Sequence, residues 1–577
     1  MLKHRRTKRI FSILSAAVLI VLAAFCIALA APGDMDRSTR IEDVLDRDFS
    51  LWVPEEERWD SSVTISAEGF EDRSETPSGD FIGKDFTPGI LTDGYYGTYA
   101  KALENNCILL TCAKGISSVY VEFDWLPEET WTISDMYSSA APSEKTRECG
   151  GSGYLHEYQD LAELFGYRPV SVSIVFPAGT QVANIYAFSG EAPSWVQKWE
   201  PMLEKADLLL VSTHSDDEQL FLGGLLPYYV NEKKLDVQVV YFIQHFHKKM
   251  RVFEHYRQHE QLNGLWTVGV KHYPYMSEFP DAYAEGKTKA EAVQNILSTF
   301  NYYGYHMDDF RQFAVEVLRK FKPLVVVTHD LDGEYGHPAH IICADVMTDA
   351  VDLAADPEQY PEIAAQYGTW QPEKVYIHLY GKNTVTMDWD TPLDSLNGMT
   401  PFQMTQEGFR YHLSQHDSWF VKWIYGTNSA PITKASEISK YSPCNYGLYF
   451  TSVGDDTLNA QGKPGDFMEN IDQTYSGQRR AEEEEARKQA EEEARKQAEE
   501  EERLRKEREE AQRKEQEARE KERRRQEFIK GGLMAAAIAA AVFGGYKLSA
   551  SRKKKASERY RGQVSEKDLK KKNKHGK

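Results

Sequence analysis

Cysteine is scarce in this 577-residue chain, with six in all and no Cys-x-x-Cys pair. That excludes a disulfide-built scaffold and a thiolate metal or redox centre of the usual spacing. Cys107 and Cys112 share one β-patterned stretch and Cys149 follows, so a disulfide among them stays open beside a reading as buried apolar thiols. Positive charge is in deficit too. Lys and Arg number 69 against 89 Asp and Glu, a formal net charge of −20, and the basic clusters sit at the chain ends or alternate with Glu. A folded basic face for phosphates is missing, and no nucleic-acid partner is expected. Apolar residues at heptad spacing are absent from Arg479 to Glu527, which excludes a coiled-coil seam there.

What that segment does hold is Glu, Arg, Lys, Gln and Ala, with Glu483 to Arg487, Glu484 to Lys488, Glu491 to Arg495 and Glu492 to Lys496 in the favourable Glu-first i, i+4 order. The spacing predicts a solvated single helix over 479–527, roughly 70 Å long at ~1.5 Å per residue; the alternative is a charged linker without structure. Two apolar stretches suit a bilayer. Ile10 to Ala31, after the basic Lys3 to Arg9, reads as a signal peptide or signal anchor (1–31) and contains Cys26. Gly531 to Tyr546, flanked by Lys530 and Lys547, reads as a transmembrane helix over 529–548. The Lys-rich tail 549–577 is then cytoplasmic by the positive-inside rule, the anchor lies in the plasma membrane and the domains between are extracytoplasmic.

Residues 45–195 have β texture. Val119-Tyr-Val-Glu-Phe-Asp-Trp and Val170-Ser-Val-Ser-Ile-Val-Phe alternate apolar and polar residues between turn signals, which predicts an antiparallel β-sandwich. Ile90-Leu-Thr-Asp-Gly-Tyr-Tyr-Gly-Thr-Tyr99 resembles the opening of galactose-binding-like, discoidin-type modules. That resemblance implies a glycan grip; a spacer sandwich is the other reading.

Residues 196–455 alternate strands and helices, which predicts an α/β domain with a Rossmann-like, mainly parallel sheet and helices on both faces. The run Ala206-Asp-Leu-Leu-Leu-Val-Ser is a buried strand that ends in Thr213-His214-Ser215-Asp216-Asp217-Glu218, with a helix expected from Gln219. Pro323-Leu-Val-Val-Val-Thr is a second, ending in His329-Asp330-Leu331-Asp332-Gly333-Glu334-Tyr335-Gly336-His337-Pro338-Ala339-His340. Both polar clusters would meet at one edge of a parallel sheet, where open α/β folds place ligands. A linker over 456–478 separates this domain from the charged helix.

His214, Asp217 and one of the downstream histidines supply the three protein ligands of a catalytic zinc or another divalent ion. Such an ion activates water and polarises a carbonyl. Asp216 is then the free carboxylate that can move the proton, and the remaining histidine can stabilise an oxyanion. Taken singly, Asp-Asp-Glu after a strand is commonly a helix cap and His-x-x-His is a weak pair. His245-x-His247 lies beside Lys248 and Lys249 and reads as surface.

Together the two clusters resemble the bacterial LmbE-like deacetylases and the N-acetylglucosaminyl-phosphatidylinositol deacetylases, with further matches at Arg257-Gln-His-Glu260 and Phe279-Pro-Asp281. The resemblance implies zinc on His214, Asp217 and His340, Asp216 as general base, His337 as oxyanion or acid partner, and Arg257 and Asp281 on the sugar. Two departures are visible: Ser215 replaces the usual Pro, and Ala339 replaces an Asp, leaving His337 to find another partner such as Asp330 or Asp332. The expected function is zinc-dependent hydrolysis of an N-acetyl group on an N-acetylglucosamine-type sugar of a surface glycan. A catalytically silent, membrane-anchored glycan-binding protein and a hydrolase of another amide are the alternatives.

Overall fold

The computed structural model describes residues 59–74, 85–137, 145–244, 246–247, 250–251, 256–416 and 418–560. The apolar run Ile10 to Ala31 with Cys26, the imidazoles of His245 and His247, and the tail beyond residue 560 lie outside them. The chain forms two units, Met1–Arg480 and Ala481–Lys577.

The first unit begins with eight strands, β1 (Thr64–Asp72), β2 (Ala100–Thr111), β3 (Ser118–Phe123), β4 (Trp131–Asp135), β5 (Thr146–Cys149), β6 (His156–Asp160), β7 (Ser171–Val175) and β8 (Gln181–Phe188). They pair antiparallel in the order β5-β4-β7-β2-β8-β3-β6, with β1 on β2. The long β2 splits its partners, its end pairing with β7 and its first residues with β8, so the sheet bends around one apolar core of Ile108, Leu110, Val121, Ile133, Val172 and Ile174. Cys107, Cys112 and Cys149 are free thiols, as are Cys343 and Cys444.

The chain then builds a sheet from β9 (Leu208–Ser212), β10 (Val237–Tyr241), β11 (Tyr275–Met276), β12 (Val325–Thr328), β13 (Lys374–His378), β14 (Thr384–Thr386) and β15 (Asn445–Thr451). Its order is β11-β10-β9-β12-β13-β15-β14. The first five run parallel, and β15 and β14 close one side antiparallel. Both faces are buried: Leu208 and Leu210 enter one apolar cluster, Leu209 and Val211 the other. Of the helices that flank it, α1 spans Arg257–Thr267, α2 Lys289–Tyr303, α3 Met307–Phe321, α4 Pro338–Leu353, α5 Pro401–Phe409 and α6 Trp419–Tyr425.

Two expectations are corrected. No regular helix starts at Gln219; Asp216 to Gly224 is a series of turns, and helical winding begins near Leu225 as a wide turn over Pro227–Glu232. Gly224 explains the delay, since its φ of +92° is left-handed and an added Cβ would lie 2.4 Å from the Trp389 ring. Nor is 456–478 a linker. Phe467 is fully buried in the α/β core, stacked on Tyr229, and Asp456 binds Lys374 Nζ and Tyr376 Oη.

The final helix α7 spans Tyr475–Tyr560. Asp207 caps its start, accepting from the backbone N–H of Tyr475 and Ser476. Within the second unit Glu484–Lys488 and Glu492–Lys496 pair at 2.6 and 2.8 Å, while Arg487 and Arg495 reach forward to Glu491 and Glu499. The stretch from Gly531 is apolar and exposed, and α7 is, among the described residues, the helix long and apolar enough to cross a membrane, with a window of mean hydropathy 1.7.

Candidate metal centre and active site

Strands β9 and β12 are adjacent and parallel, so the turns leaving Ser212 and Thr328 emerge at the same sheet edge. The first turn is self-bracing: the backbone N–H of His214 donates to Asp217 Oδ2 at 2.8 Å. The second runs through Tyr335, held at a left-handed φ of +46°, to His337, which caps α4. His340 stands on the first turn of that helix.

These constraints bring three donors to one point. His214 Nδ1 lies 3.1 Å from Asp217 Oδ2 and 3.1 Å from His340 Nε2, and His340 Nε2 lies 3.1 Å from Asp217 Oδ2. A proton can relieve one such contact at a time, whereas an ion bonded at about 2.0–2.2 Å to imidazole nitrogen and carboxylate oxygen satisfies all three. Charge agrees with geometry. Burial alone would depress both imidazoles, but hydrogen bonds and charge from Asp217, with Asp281 on one side and Glu334 on the other, raise His214 to about 10 and His340 to about 9. The carboxylates of Asp217, Asp281 and Glu334 thus favour positive charge at this buried point, as a cation site requires. The donor set fits a divalent metal, and a ring nitrogen of His337 also lies within 4.8 Å of those of His214 and His340.

Glu334 orients this set and was not anticipated from the sequence. Its Oε2 accepts from His340 Nδ1 at 2.7 Å and from His329 Nδ1 at 2.8 Å, and its Oε1 lies 2.6 Å from His378 Nδ1. The backbone N–H of Thr213 donates to His329 Nε2 at 2.8 Å, which fixes the His329 proton on Nδ1. A bond from a ligand's second nitrogen to a carboxylate sets the tautomer and aim of the first. His329 and His378 each follow or end an apolar parallel strand, as His214 does, and that placement was the available signal. Glu334 had none beyond its place before Tyr335-Gly-His.

Asp216 sits beside the triangle without contributing to it. Burial lifts its carboxyl to about 6 despite the opposing Arg257 guanidinium. Arg257, at the start of α1, reaches Asp216 Oδ2 at 3.5 Å and Asp281 Oδ2 at 3.6 Å, and Asp281 Oδ1 lies 3.6 Å from His214 Nε2. His337 accepts from the backbone N–H of Ala339 on Nδ1 at 3.3 Å. Its proton is therefore on Nε2, and burial and the neighbouring imidazoles hold it neutral. Neither Asp330 nor Asp332 partners it, a correction to the sequence expectation: Asp332 pairs with Lys289 at 2.7 Å, and Asp330 accepts from the backbone of Asp332. Tyr283, Tyr335 and Trp419 form an aromatic rim, with the Tyr283 and Tyr335 rings 5.3 and 5.5 Å from His337 and Trp419 5.6 Å from Tyr335.

Residues 209–351 match the PIG-L family, described as GlcNAc-PI de-N-acetylase. Over 184 residues the chain is 31% identical to a 1D-myo-inositol 2-acetamido-2-deoxy-alpha-D-glucopyranoside deacetylase of Geodermatophilus obscurus, covering 29% of this chain and 60% of that protein. Over 223 residues it is 26% identical to a second deacetylase of that description from Saccharopolyspora erythraea, covering 36% and 77%. A solved structure, the N,N'-diacetylchitobiose deacetylase from Pyrococcus horikoshii, aligns at 16% identity and a TM-score of 0.29 over 42% of this chain and 83% of that one; at that score the likeness decides nothing about the site.

Proposed function

We propose, from the premise that the α/β domain of this chain belongs to the PIG-L family, that the protein is a metal-dependent N-deacetylase of an N-acetylglucosamine-type sugar on a surface glycan. The observation that carries the reading is the triangle of His214, Asp217 and His340 donors 3.1 Å apart with Asp216 next to it and outside it. Zinc, or another divalent ion held there, supplies Lewis-acid polarisation of an acetyl carbonyl and lowers the pKa of water. Asp216 takes a proton from the attacking water and returns it to the departing nitrogen, so that amide and water leave as acetate and amine. Neutral His337 offers its Nε2–H to the oxygen that gains charge. Arg257 and Asp281 grip the sugar hydroxyls, and the aromatic rim limits water.

The placement of this chemistry belongs to the same proposal. The apolar stretch from Gly531 anchors the chain in the plasma membrane with the Lys-rich tail inside. The antiparallel β region, read as a sandwich, serves a polymeric or surface-attached sugar outside.

The test is direct. The purified chain should bind about one zinc and release acetate from N-acetylglucosamine oligosaccharides. Bound zinc without acetate from any N-acetylated sugar would favour the silent glycan-binding reading. Absence of stoichiometric metal would end the hydrolase reading and leave a membrane-anchored glycan-binding protein.

A further inference from the structure

Helix α1 is buried along Arg257–Leu265 although Arg257, Gln258, His259, Glu260, Gln261 and Asn263 are polar. Burying polar groups costs least where partners meet them; Glu260, His259 and Asn263 find theirs off the helix, and α1 packs on three sides. Glu260 accepts from Ser414 N and Oγ at 2.8 and 2.6 Å, beyond α5. Leu265 enters the α/β core. The third side is the β region: Leu262, with Tyr273, belongs to its apolar core, and His259 and Asn263 bond to it.

The bonds on that third side have assignable directions. Trp199 Nε1 donates to Gln197 Oε1 at 2.9 Å, which fixes the amide, and Gln197 Nε2 donates to Asn263 Oδ1 at 2.7 Å. Asn263 Nδ2 donates to Tyr96 Oη at 2.8 Å, and Tyr96 Oη donates to Glu122 at 3.3 Å. His156 Nδ1 lies 2.7 Å from Gln197 Oε1, to which it must donate. Burial keeps the His156 ring neutral, so its bare Nε2 accepts from His259 Nδ1 at 2.7 Å. The Tyr96 ring stacks on His259 at 4.0 Å and 10°. Each of these six donors has an acceptor in this arrangement, His156 Nδ1 lying also 3.1 Å from the Tyr120 hydroxyl, and rotating α1 by even one residue would break the set.

Arg257 stands two residues before His259 on the same helix, between Asp216 and Asp281. We infer that the β region is a working part of the deacetylase centre: Tyr96 and His156 are positioning residues that, through His259 and Asn263, aim Arg257 at the sugar. The inference rests on the proposed role of Arg257 as a substrate contact. It gives the β region a task distinct from gripping glycan on its own.

The experiment uses the full chain carrying Tyr96→Ala, Tyr96→Phe or His156→Ala, with N-acetylglucosamine oligosaccharides as substrate. Tyr96→Ala and His156→Ala should raise KM roughly tenfold with kcat within about threefold and zinc content unchanged. Tyr96→Phe, which keeps the stacked ring, should recover most of that loss. In an Arg257→Ala background the same changes should cost nothing further, because they act through the missing guanidinium; equal losses in both backgrounds would overturn the inference. A second readout is independent of turnover: a crystal structure of the His156→Ala chain should show Arg257 displaced from Asp216 and Asp281, and an unmoved Arg257 overturns the proposal. A wild-type chain that releases no acetate ends the deacetylase reading alone, and the position of Arg257 still decides this one.

Discussion

Asp216 and Asp217 are neighbours in sequence and opposites in environment. Asp217 is held far below the usual carboxylate range: burial opposes ionisation, and the charge and hydrogen bonds of His340 and His214 overcome it. Asp216 is lifted instead, because Arg257 only partly offsets its burial. Asp216→Asn should therefore cut kcat by about 10²–10⁴-fold, the range for a general base, with zinc stoichiometry unchanged because no atom leaves the donor triangle; acetate release and metal analysis on one preparation check both. Glu334→Gln should do the reverse. Losing the carboxylate shared by His340, His329 and His378 should weaken zinc by about 10–100-fold, read by chelator competition, and turnover should return at saturating metal. The donor triangle was legible because imidazoles and carboxylates at the ends of apolar strands are unusual unless used. Glu334 was not, since its meaning depends on His378, which lies 44 residues away and meets it only in the folded sheet.

Elements with an apolar rhythm were readable; elements whose burial is polar were not. Val172 and Ile174 of β7 and the runs of β9 and β12 announce strands by alternation or by continuous apolarity. Helix α1 offers only Leu262 and Leu265 as apolar anchors, and the rest of its buried stretch is polar, facing the β region and Ser414. The β region holds a comparable polar burial that has a pH signature. Trp131 Nε1 donates to Glu157 Oε2 at 2.7 Å inside the core, and burial raises Glu157 to about 7 from its usual 4.5. The folded state thus holds this proton more tightly than the unfolded chain. Its contribution is complete below about pH 4.5 and is lost as pH rises toward 7. Glu157→Gln keeps an acceptor for Trp131 and cannot ionise, so it should stabilise the protein by about 1–3 kcal/mol at pH 8, with the difference shrinking toward pH 5. Thermal melts of both chains across that range measure it, and a pH-independent difference would contradict the argument.

At the scale of the whole molecule, the segment after β15 decides where the folded unit ends. Its Gly, Asp, Asn and Pro content has no helical or strand period, which is why it reads as a linker, yet its contacts are those of a strap. Asp456 meets Lys374, whose side chain is fully buried, and the carbonyl of Glu469 takes a second bond from the same ammonium at 2.8 Å. Asp466 joins Tyr229 Oη and Lys233, Phe467 fills the core, and Arg479 pairs with Asp236. A chain cut after Arg480 keeps every one of these contacts and should melt at the temperature of the full chain, with the same metal content by elemental analysis. Cutting after residue 455 instead leaves the Lys374 ammonium buried without its carboxylate, a loss of about 3–5 kcal/mol, and uncovers the Phe467 site for about 1.5–3 kcal/mol more. The sum is comparable to the whole stability of an ordinary domain, so the shorter chain should lack a cooperative transition by circular dichroism. If both truncations melted alike, the strap would be a passenger. The Lys374→Met change separates the two causes: in the full chain it strands the nearly buried Asp456 carboxylate and should cost about 3–5 kcal/mol, whereas in the shorter chain, which lacks Asp456, it removes the unpaired ammonium and should restore part of the transition.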